Sequence, residues 1–318
     1  MGVIDSLSAG YRYLSWRLYL LLIPVLLDLL LWRSPSISVA PLFTWMANLY
    51  NDPSLTQGLP TDMVTLIQNG LTELGKGSNL LTILANGALL HVPSLVVAEE
   101  PLLKDASLNI SSPFTAIGLT LLFALLGMLI GVIYLDLLVR ELPIGAGAKS
   151  TSVGRLLLTM LRHWFKLMLF GLLLAVGLVA LYIPVSISAT IIMLFSPSLA
   201  VLLLVFVSGL LFVVFFYLYF VPMGVIMDNL GVRAAIVQSF RLVRVNFWPT
   251  IGLFLLTYLI DTGFGLIFDR VVQYQPIGTL AAIVANAYLG TGLALALLIF
   301  YRTRLLRMTG EFTLGGEL

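Results

Sequence analysis

The hydrophobic and polar positions of the chain follow one pattern that occurs three times. In each copy a short amphipathic segment with Arg on its polar side reaches a Trp or Phe, and a long apolar run follows. The copies cover residues 11–32, 155–195 and 233–268. Internal repetition of this kind indicates repeated structural units. The sequence therefore predicts three units, each an interfacial helix followed by a transmembrane hairpin.

The apolar runs are long enough to cross a bilayer, which takes about 20 residues of helix. A backbone in hydrocarbon must pair its polar groups within the chain, so such runs form helices. Composition agrees, because 60% of the residues are hydrophobic and only 10% are charged. We predict an all-α polytopic bundle, a single membrane domain over residues 1–318. Its six predicted spans are Leu18–Trp32, Thr115–Val139, Leu167–Phe195, Ser198–Met227, Ile251–Phe268 and Gly278–Tyr301.

The basic residues are divided unevenly between the two sides of the predicted bundle. One side, which includes both termini, holds 13 of the 17 Lys and Arg residues. Because basic residues are concentrated on the cytoplasmic side of membrane proteins, we predict that both termini are cytoplasmic. The expected location is the inner (plasma) membrane of a cell, as a multi-pass protein.

Residues 33–114 form the one sizeable insert outside the predicted spans. Three stretches have an amphipathic pattern: Pro41–Tyr50, Thr61–Leu74 and Ser78–His91. We predict a helical extracytoplasmic insert that lies on the membrane or covers the end of the bundle, with residues 96–112 irregular. A structural lid and a surface that docks a partner or covers a ligand both fit this pattern.

Two aspartates lie inside predicted spans. Asp28 follows Trp16 by 12 residues, and Asp261 follows Trp248 by 13 residues, so the two have equivalent positions in the first and third repeats. A carboxylate in the membrane needs a polar partner, and we expect Asn286, Tyr258 or an arginine to supply it. The pair predicts either a structural contact between helices or a polar cavity for an ion, a solute or a lipid headgroup.

Basic residues line one side of two predicted interfacial helices. They are Arg155, Arg162 and Lys166 in the second repeat and Arg233, Arg241 and Arg244 in the third. The opposite side of the third helix carries Val232, Ile236 and Phe240, among other apolar residues. Helices of this kind lie among lipid headgroups, so these six side chains are candidate contacts with anionic lipid. Setting the topology of the chain is the alternative role.

Small residues indicate close helix contacts at two places. Gly127 and Gly131 form a Gly-x-x-x-Gly motif in the second span, and Ala282, Asn286, Gly290 and Ala294 form a stripe in the sixth. Side chains of this size let two transmembrane helices approach each other closely. We therefore expect helix–helix contacts at both.

The sequence shows no pattern typical of catalysis or cofactor binding. The chain has no cysteine, and neither His91 nor His163 has a second histidine or a carboxylate nearby in the sequence. Asp136 has Arg140 one helical turn later, so an ion pair between them is expected. We predict no metal, no cofactor and no catalytic residue.

The segment from Val221 to Trp248 resembles a family. An apolar helix ends near Pro222, the turn Asp228-Asn229-Leu230-Gly231 follows, and an Ala/Ser/Arg-rich helix leads into the next span. This segment resembles a loose superfamily of bacterial six-span membrane proteins that includes the membrane domain of glycerophosphoryl diester phosphodiesterases. The resemblance implies the six-span layout. The catalytic domain of those phosphodiesterases has no counterpart here, so their chemistry is not implied.

We therefore predict a non-enzymatic membrane protein, a scaffold or a subunit of a larger membrane assembly, that interacts with lipid. The expected partners are anionic membrane lipids and other membrane subunits, with no nucleic acid. The alternative is a transporter component that moves a small solute or lipid through a cavity near Asp28 and Asp261. A lipid-modifying enzyme ranks third, because the sequence shows no nucleophile with a base.

Overall fold

A computed structural model describes residues 2–56, 61–76, 78–87, 90–98, 106–142 and 153–309. The described chain is almost entirely helical, which confirms the all-α prediction. The helices are α1 (Val3–Ser15), α2 (Leu22–Arg33), α3 (Ala40–Leu49), α4 (Pro53–Thr56), α5 (Thr61–Lys76), α6 (Leu95–Ala98), α7 (Pro113–Glu141), α8 (Val153–Phe195), α9 (Pro197–Leu218), α10 (Val221–Met227), α11 (Val232–Val245), α12 (Phe247–Val271) and α13 (Ile277–Thr309). Two 3₁₀ helices, Leu18–Leu21 and Leu80–Leu84, and four short strands, β1 (Ser36–Ser38), β2 (Asn86–Gly87), β3 (Leu90–His91) and β4 (Ala106–Asn109), complete it.

Five helical segments are long and apolar enough to cross a membrane: α7, α8, α9 with α10, α12 and α13. A sixth span requires α1 and the stretch Leu18–Arg33 to be counted together, although they meet at a bend of 96°. The stretch after the bend is about 26 Å long at the rise of 3₁₀ and α-helices. That length is close to the roughly 30 Å of the hydrocarbon core. The predicted first span is therefore short.

The amphipathic helix of each repeat is separate from its span in two of the three copies. α1 ends before the bend, and α11 ends at Val245. The next residue, Asn246, caps it, since its backbone N–H and side-chain amide both donate to the carbonyl of Leu242. The second copy differs from the prediction, because α8 continues without a break from Val153 to Phe195. Residues 155–170, where the break was expected, contain no proline, glycine or asparagine that would end a helix.

The chain forms two compact units. The insert unit comprises Leu18–Gly131 and Ile260–Thr291, and the bundle unit comprises Met1–Arg17, Val132–Leu259 and Gly292–Leu318. In the insert unit, β1 pairs with β4 in parallel and β2 pairs with β3 in antiparallel orientation. A core of Val39, Leu80 and Ala116 joins the insert to the first turns of α7.

Two of the three helices predicted for the insert are present as α3 and α5. The third, Ser78–His91, is wrong. The side chain of Asn79 accepts the N–H of Leu81 at 3.2 Å and caps a 3₁₀ helix, after which β2 and β3 follow. Asn86 and Gly87 are poor helix formers, and burial of the apolar residues stabilises the irregular path instead. The stretch 96–112 was expected to be irregular. Its described part contains the end of α6 and strand β4, and residues 99–105 lie outside the described residues.

The Gly-x-x-x-Gly motif of α7 contacts the insert. A Cβ atom at Gly127 would lie 2.5 Å from the carbonyl oxygen of Ile83, and one at Gly131 would lie 2.6 Å from Cβ of Leu90. These glycines lie about 21 and 27 Å along α7 from Pro113, so the insert reaches past the middle of that helix. The expected contact with another transmembrane helix is wrong at this motif.

One residue of the sixth-span stripe, Gly290, also contacts the insert. A Cβ atom at Gly290 would collide with the ring of Pro93, which belongs to the insert. In the segment around Pro93, Leu90 and every residue from Val92 to Val96 are buried. Backbone outside helices is tolerated at membrane depth only when protein surrounds it, and this burial meets that condition.

In the bundle unit, α13 supplies the core and α1 packs closely against it. A Cβ atom at Gly10 would lie 2.7 Å from the backbone nitrogen of Ala296, and the ring of Tyr11 covers Gly292. α11 buries Ala235, Ser239, Leu242 and Val243. Of the predicted apolar side of this helix, Val243 is buried, Val232 and Ile236 are half-buried, and Phe240 and Phe247 are exposed.

Candidate functional site

Asp28 is fully buried and is held by the insert. Its Oδ1 accepts a hydrogen bond from the hydroxyl of Ser94, and its Oδ2 accepts the backbone N–H of Leu95 at 2.9 Å. The prediction that Asn286, Tyr258 or an arginine would pair with Asp28 is wrong. Ser94 lies 66 residues later in the sequence, in a segment that was predicted to lie outside the bundle, so spacing alone did not reveal it.

Asp261 has a different environment from Asp28. Its side chain is exposed and forms no hydrogen bond or ion pair with another described residue. Tyr258 is 60% exposed, whereas Asn286 is buried in α13. The predicted intramembrane site of Asp28, Asp261, Asn286 and Tyr258 therefore does not assemble into one cluster. The two aspartates hold equivalent positions in their repeats, yet Asp28 is buried and Asp261 is exposed.

A large groove lies in the bundle unit between α8, α11 and α13. We call it the basic groove, and its volume is about 1220 Å³. Its walls are mostly apolar, and three basic side chains line it. Those three, Lys166, Arg233 and Arg241, all belong to the predicted lipid-contacting set. The remaining lining residues are Leu169, Leu173, Gly231, Val232, Ala234, Ile236, Val237, Gln238, Leu305 and Met308.

The three basic residues of the basic groove differ in how they are held. The Nζ of Lys166 donates to the backbone oxygen of Asn229 at 2.8 Å and to its side-chain oxygen at 2.6 Å. Asn229 adopts a left-handed backbone conformation with φ of 51°, which Asn tolerates better than most residues. Arg233 and Arg241 are exposed and form no ion pair with another described residue.

The other three predicted lipid contacts, Arg155, Arg162 and Arg244, are exposed and do not line the basic groove. Arg162 lies one helical turn before Lys166 on α8. The structure thus divides the predicted set into two groups of three with the same charge. Asn229 and Gln238 also belong to this site, although no sequence pattern identified them as such. Both fall within the segment that carried the family resemblance.

A hydrogen-bonded cluster lies next to the basic groove and centres on Asp228. Its Oδ1 accepts Nη1 of Arg302 at 2.8 Å, and its Oδ2 accepts the hydroxyl of Tyr301 at 2.6 Å and Nε2 of Gln238 at 2.9 Å. The cluster ties α11 to α13, and Gln238 belongs to both the cluster and the groove lining. Asp228 therefore orients the helix face that carries Arg233 and Arg241.

A second buried pair joins α7 to α8. Nδ1 of His163 lies 3.0 Å from each carboxylate oxygen of Asp136. Asp136 therefore pairs with His163, whereas the sequence suggested Arg140 as its partner. Nε2 of His163 is buried and has no hydrogen-bond partner in the described part of the chain. With both groups almost fully buried, the pair tethers two helices.

No group of three potential metal ligands occurs among the described residues. Comparison with other proteins adds no further assignment, since no family model, no curated protein and no solved structure matches the chain. The six-span resemblance therefore rests on the residues from Val221 to Trp248 alone.

Proposed function

We propose that this protein is a non-enzymatic membrane scaffold, or a subunit of a larger membrane assembly, that holds anionic phospholipid in the basic groove. The observation that carries this proposal is the groove itself, in which three unbalanced basic side chains border an apolar wall. Phospholipids combine an anionic phosphate with apolar chains, so their chemistry complements both parts.

The size of the basic groove supports a lipid over a small metabolite. Its volume of about 1220 Å³ exceeds the roughly 300–1,000 Å³ of pockets for drug-sized ligands. In addition, α8, α9 and α12 are largely exposed along their apolar lengths, as expected of helices that face lipid or other subunits. We place the groove on the cytoplasmic side, where the basic residues of the chain are concentrated.

The transport alternative loses the arrangement that motivated it. That alternative required Asp28 and Asp261 to share a polar cavity. Both oxygens of Asp28 are instead occupied by the insert, and Asp261 is exposed. In addition, the polar groups around Asp228 form hydrogen bonds with one another, and His163 and Asp136 are paired with each other. This pairing favours a binding role over a catalytic one.

The proposal is tested with two triple variants that remove equal charge. In the groove variant, Lys166, Arg233 and Arg241 become Gln, and in the control variant, Arg155, Arg162 and Arg244 become Gln. Each protein is purified in mild detergent, and co-purifying lipids and proteins are identified by mass spectrometry. We expect the groove variant to lose most of its anionic lipid, because about 1 kcal/mol per basic residue is removed at the site. The control variant should retain it.

Equal losses in the two variants would mean that the basic residues act only as a general interfacial charge. Unchanged lipid content in the groove variant would refute the proposed function. Melting temperatures close to the wild-type value are required of both variants, so that loss of lipid is not loss of fold.

A further inference from the structure

The basic residues of the basic groove form two separate ends. Lys166 bonds to Asn229, which precedes the N-cap of α11 by two residues, and Arg233 lies in the first turn of the same helix. Lys166 and Arg233 therefore share one end. Arg241 lies eight residues later on α11, which is about 12 Å along the helix axis.

Between the two ends the lining is apolar except for Gln238. Ala234, Ile236 and Val237 of α11 lie there, and Leu169 and Leu173 of α8 extend the apolar wall. Gln238 is already engaged with Asp228 and Tyr301. The groove thus offers two positively charged ends joined by an apolar floor.

Among the described residues, no acidic side chain lines the basic groove, so its three positive charges are not balanced by these lining residues. A single phosphodiester would bring one negative charge to one end and leave the other end unmatched. Charge-assisted hydrogen bonds between Arg and phosphate are only about 2.7–2.9 Å long. One phosphate could therefore contact both ends only if the long side chains of both ends bent toward each other along the helix.

We propose that the basic groove binds one phospholipid that carries two phosphate groups, with one phosphate at Lys166 and Arg233 and the other at Arg241. Its acyl chains lie against Leu169 and Leu173. This inference rests on the proposed lipid-binding function and specifies the class of lipid.

The test compares two anionic lipids at equal phosphate charge. The full-length protein is placed in phosphatidylcholine bilayer discs that contain either cardiolipin, which has two phosphates, or twice the molar amount of phosphatidylglycerol, which has one. Native mass spectrometry then counts the lipids that stay bound. We expect the wild type to retain cardiolipin at least about fivefold better, which corresponds to about 1 kcal/mol for the second end.

Single variants assign the second end to one side chain. Arg241→Gln should lower cardiolipin retention to about the phosphatidylglycerol level, because it removes the second end and leaves the first end intact. Arg244→Gln is the matched control, since it removes the same charge from the same helix outside the groove, and it should change neither. Melting temperatures are measured for both variants to verify folding.

Equal retention of the two lipids by the wild type, or equal effects of the two variants, would overturn the inference while leaving the proposed function in place. Retention of both anionic lipids no better than that of phosphatidylcholine would instead overturn the proposed function itself.

Discussion

Removing the carboxylate of Asp28 should release the buried segment around Ser94 from its place in the insert unit. Asp28 is 0% exposed, and it accepts the hydroxyl of Ser94 and the backbone N–H of Leu95. In Asp28→Ala both donors lose their acceptor while they remain buried. Asp28→Asn keeps the shape, and its amide can accept from Leu95 and donate to the Ser94 oxygen.

The magnitude follows from the number of donors left unpaired. Each buried donor without an acceptor costs about 1–3 kcal/mol, so Asp28→Ala should destabilise the closed segment by about 2–6 kcal/mol. At 1.4 kcal/mol per factor of ten, even the lower value raises the open population about 30-fold. Asp28→Asn should raise it much less, because both contacts can be rebuilt.

Thiol labelling can measure this opening, since the chain contains no cysteine. Val92 is fully buried within the segment, so a Val92→Cys variant provides a single reporter. We expect slow reaction with a maleimide in the parent and in Asp28→Asn, and a reaction faster by at least about 30-fold in Asp28→Ala, given rapid opening and closing.

Asp261→Ala is the control in the same background, because Asp261 is exposed and has no described partner. It should leave the labelling rate unchanged. If Asp28→Ala labels no faster than Asp261→Ala, the contacts of Asp28 do not hold the segment. If Asp28→Asn labels as fast as Asp28→Ala, the charge of Asp28 holds the segment, and the proposed role of its two hydrogen bonds is refuted.

Two further predictions concern packing and topology. Gly127→Val should lower the free energy of unfolding by about 1–3 kcal/mol, and with it the melting temperature in detergent, because the added atoms collide with the backbone at Ile83. Gly118→Ala on the same helix meets nothing within 4 Å and should have no such effect. Single cysteines can be placed at the exposed positions Ser54 and Val245 and treated with an impermeant thiol reagent in intact cells. The cysteine at position 54 should react and the one at position 245 should not, and the reverse result would invert the predicted orientation.

The helical character and many of the boundaries of the long helices were accessible from the sequence. Unbroken apolar runs identified α7, α9 with α10, and α12 to within a few residues, because a hydrocarbon environment leaves helix as the stable backbone arrangement. Two boundaries were missed, since α8 begins at Val153 and not near Leu167, and α13 ends at Thr309 and not near Tyr301. The amphipathic pattern also located α3, α5, α11 and the end of α1.

The interior of the insert was not accessible in the same way. Ser78–His91 has an amphipathic pattern, yet it folds as a 3₁₀ helix and a pair of strands against Gly127 and Gly131. Local periodicity reports which residues prefer to be buried, but it does not report which surface buries them. The partner of Gly127 was therefore assigned to a helix when it is the backbone of the insert.

For the candidate site, the residue types could be read from the sequence, namely six basic side chains on amphipathic helices and two aspartates in apolar runs. Which of them converge depends on the fold. Lys166, Arg233 and Arg241 line one groove because the cluster around Asp228 ties α11 to α13, and Asp28 is paired because Ser94 folds back to it. Both arrangements depend on contacts between residues more than 60 positions apart, such as Lys166 with Asn229 and Asp28 with Ser94, and no local pattern records such contacts.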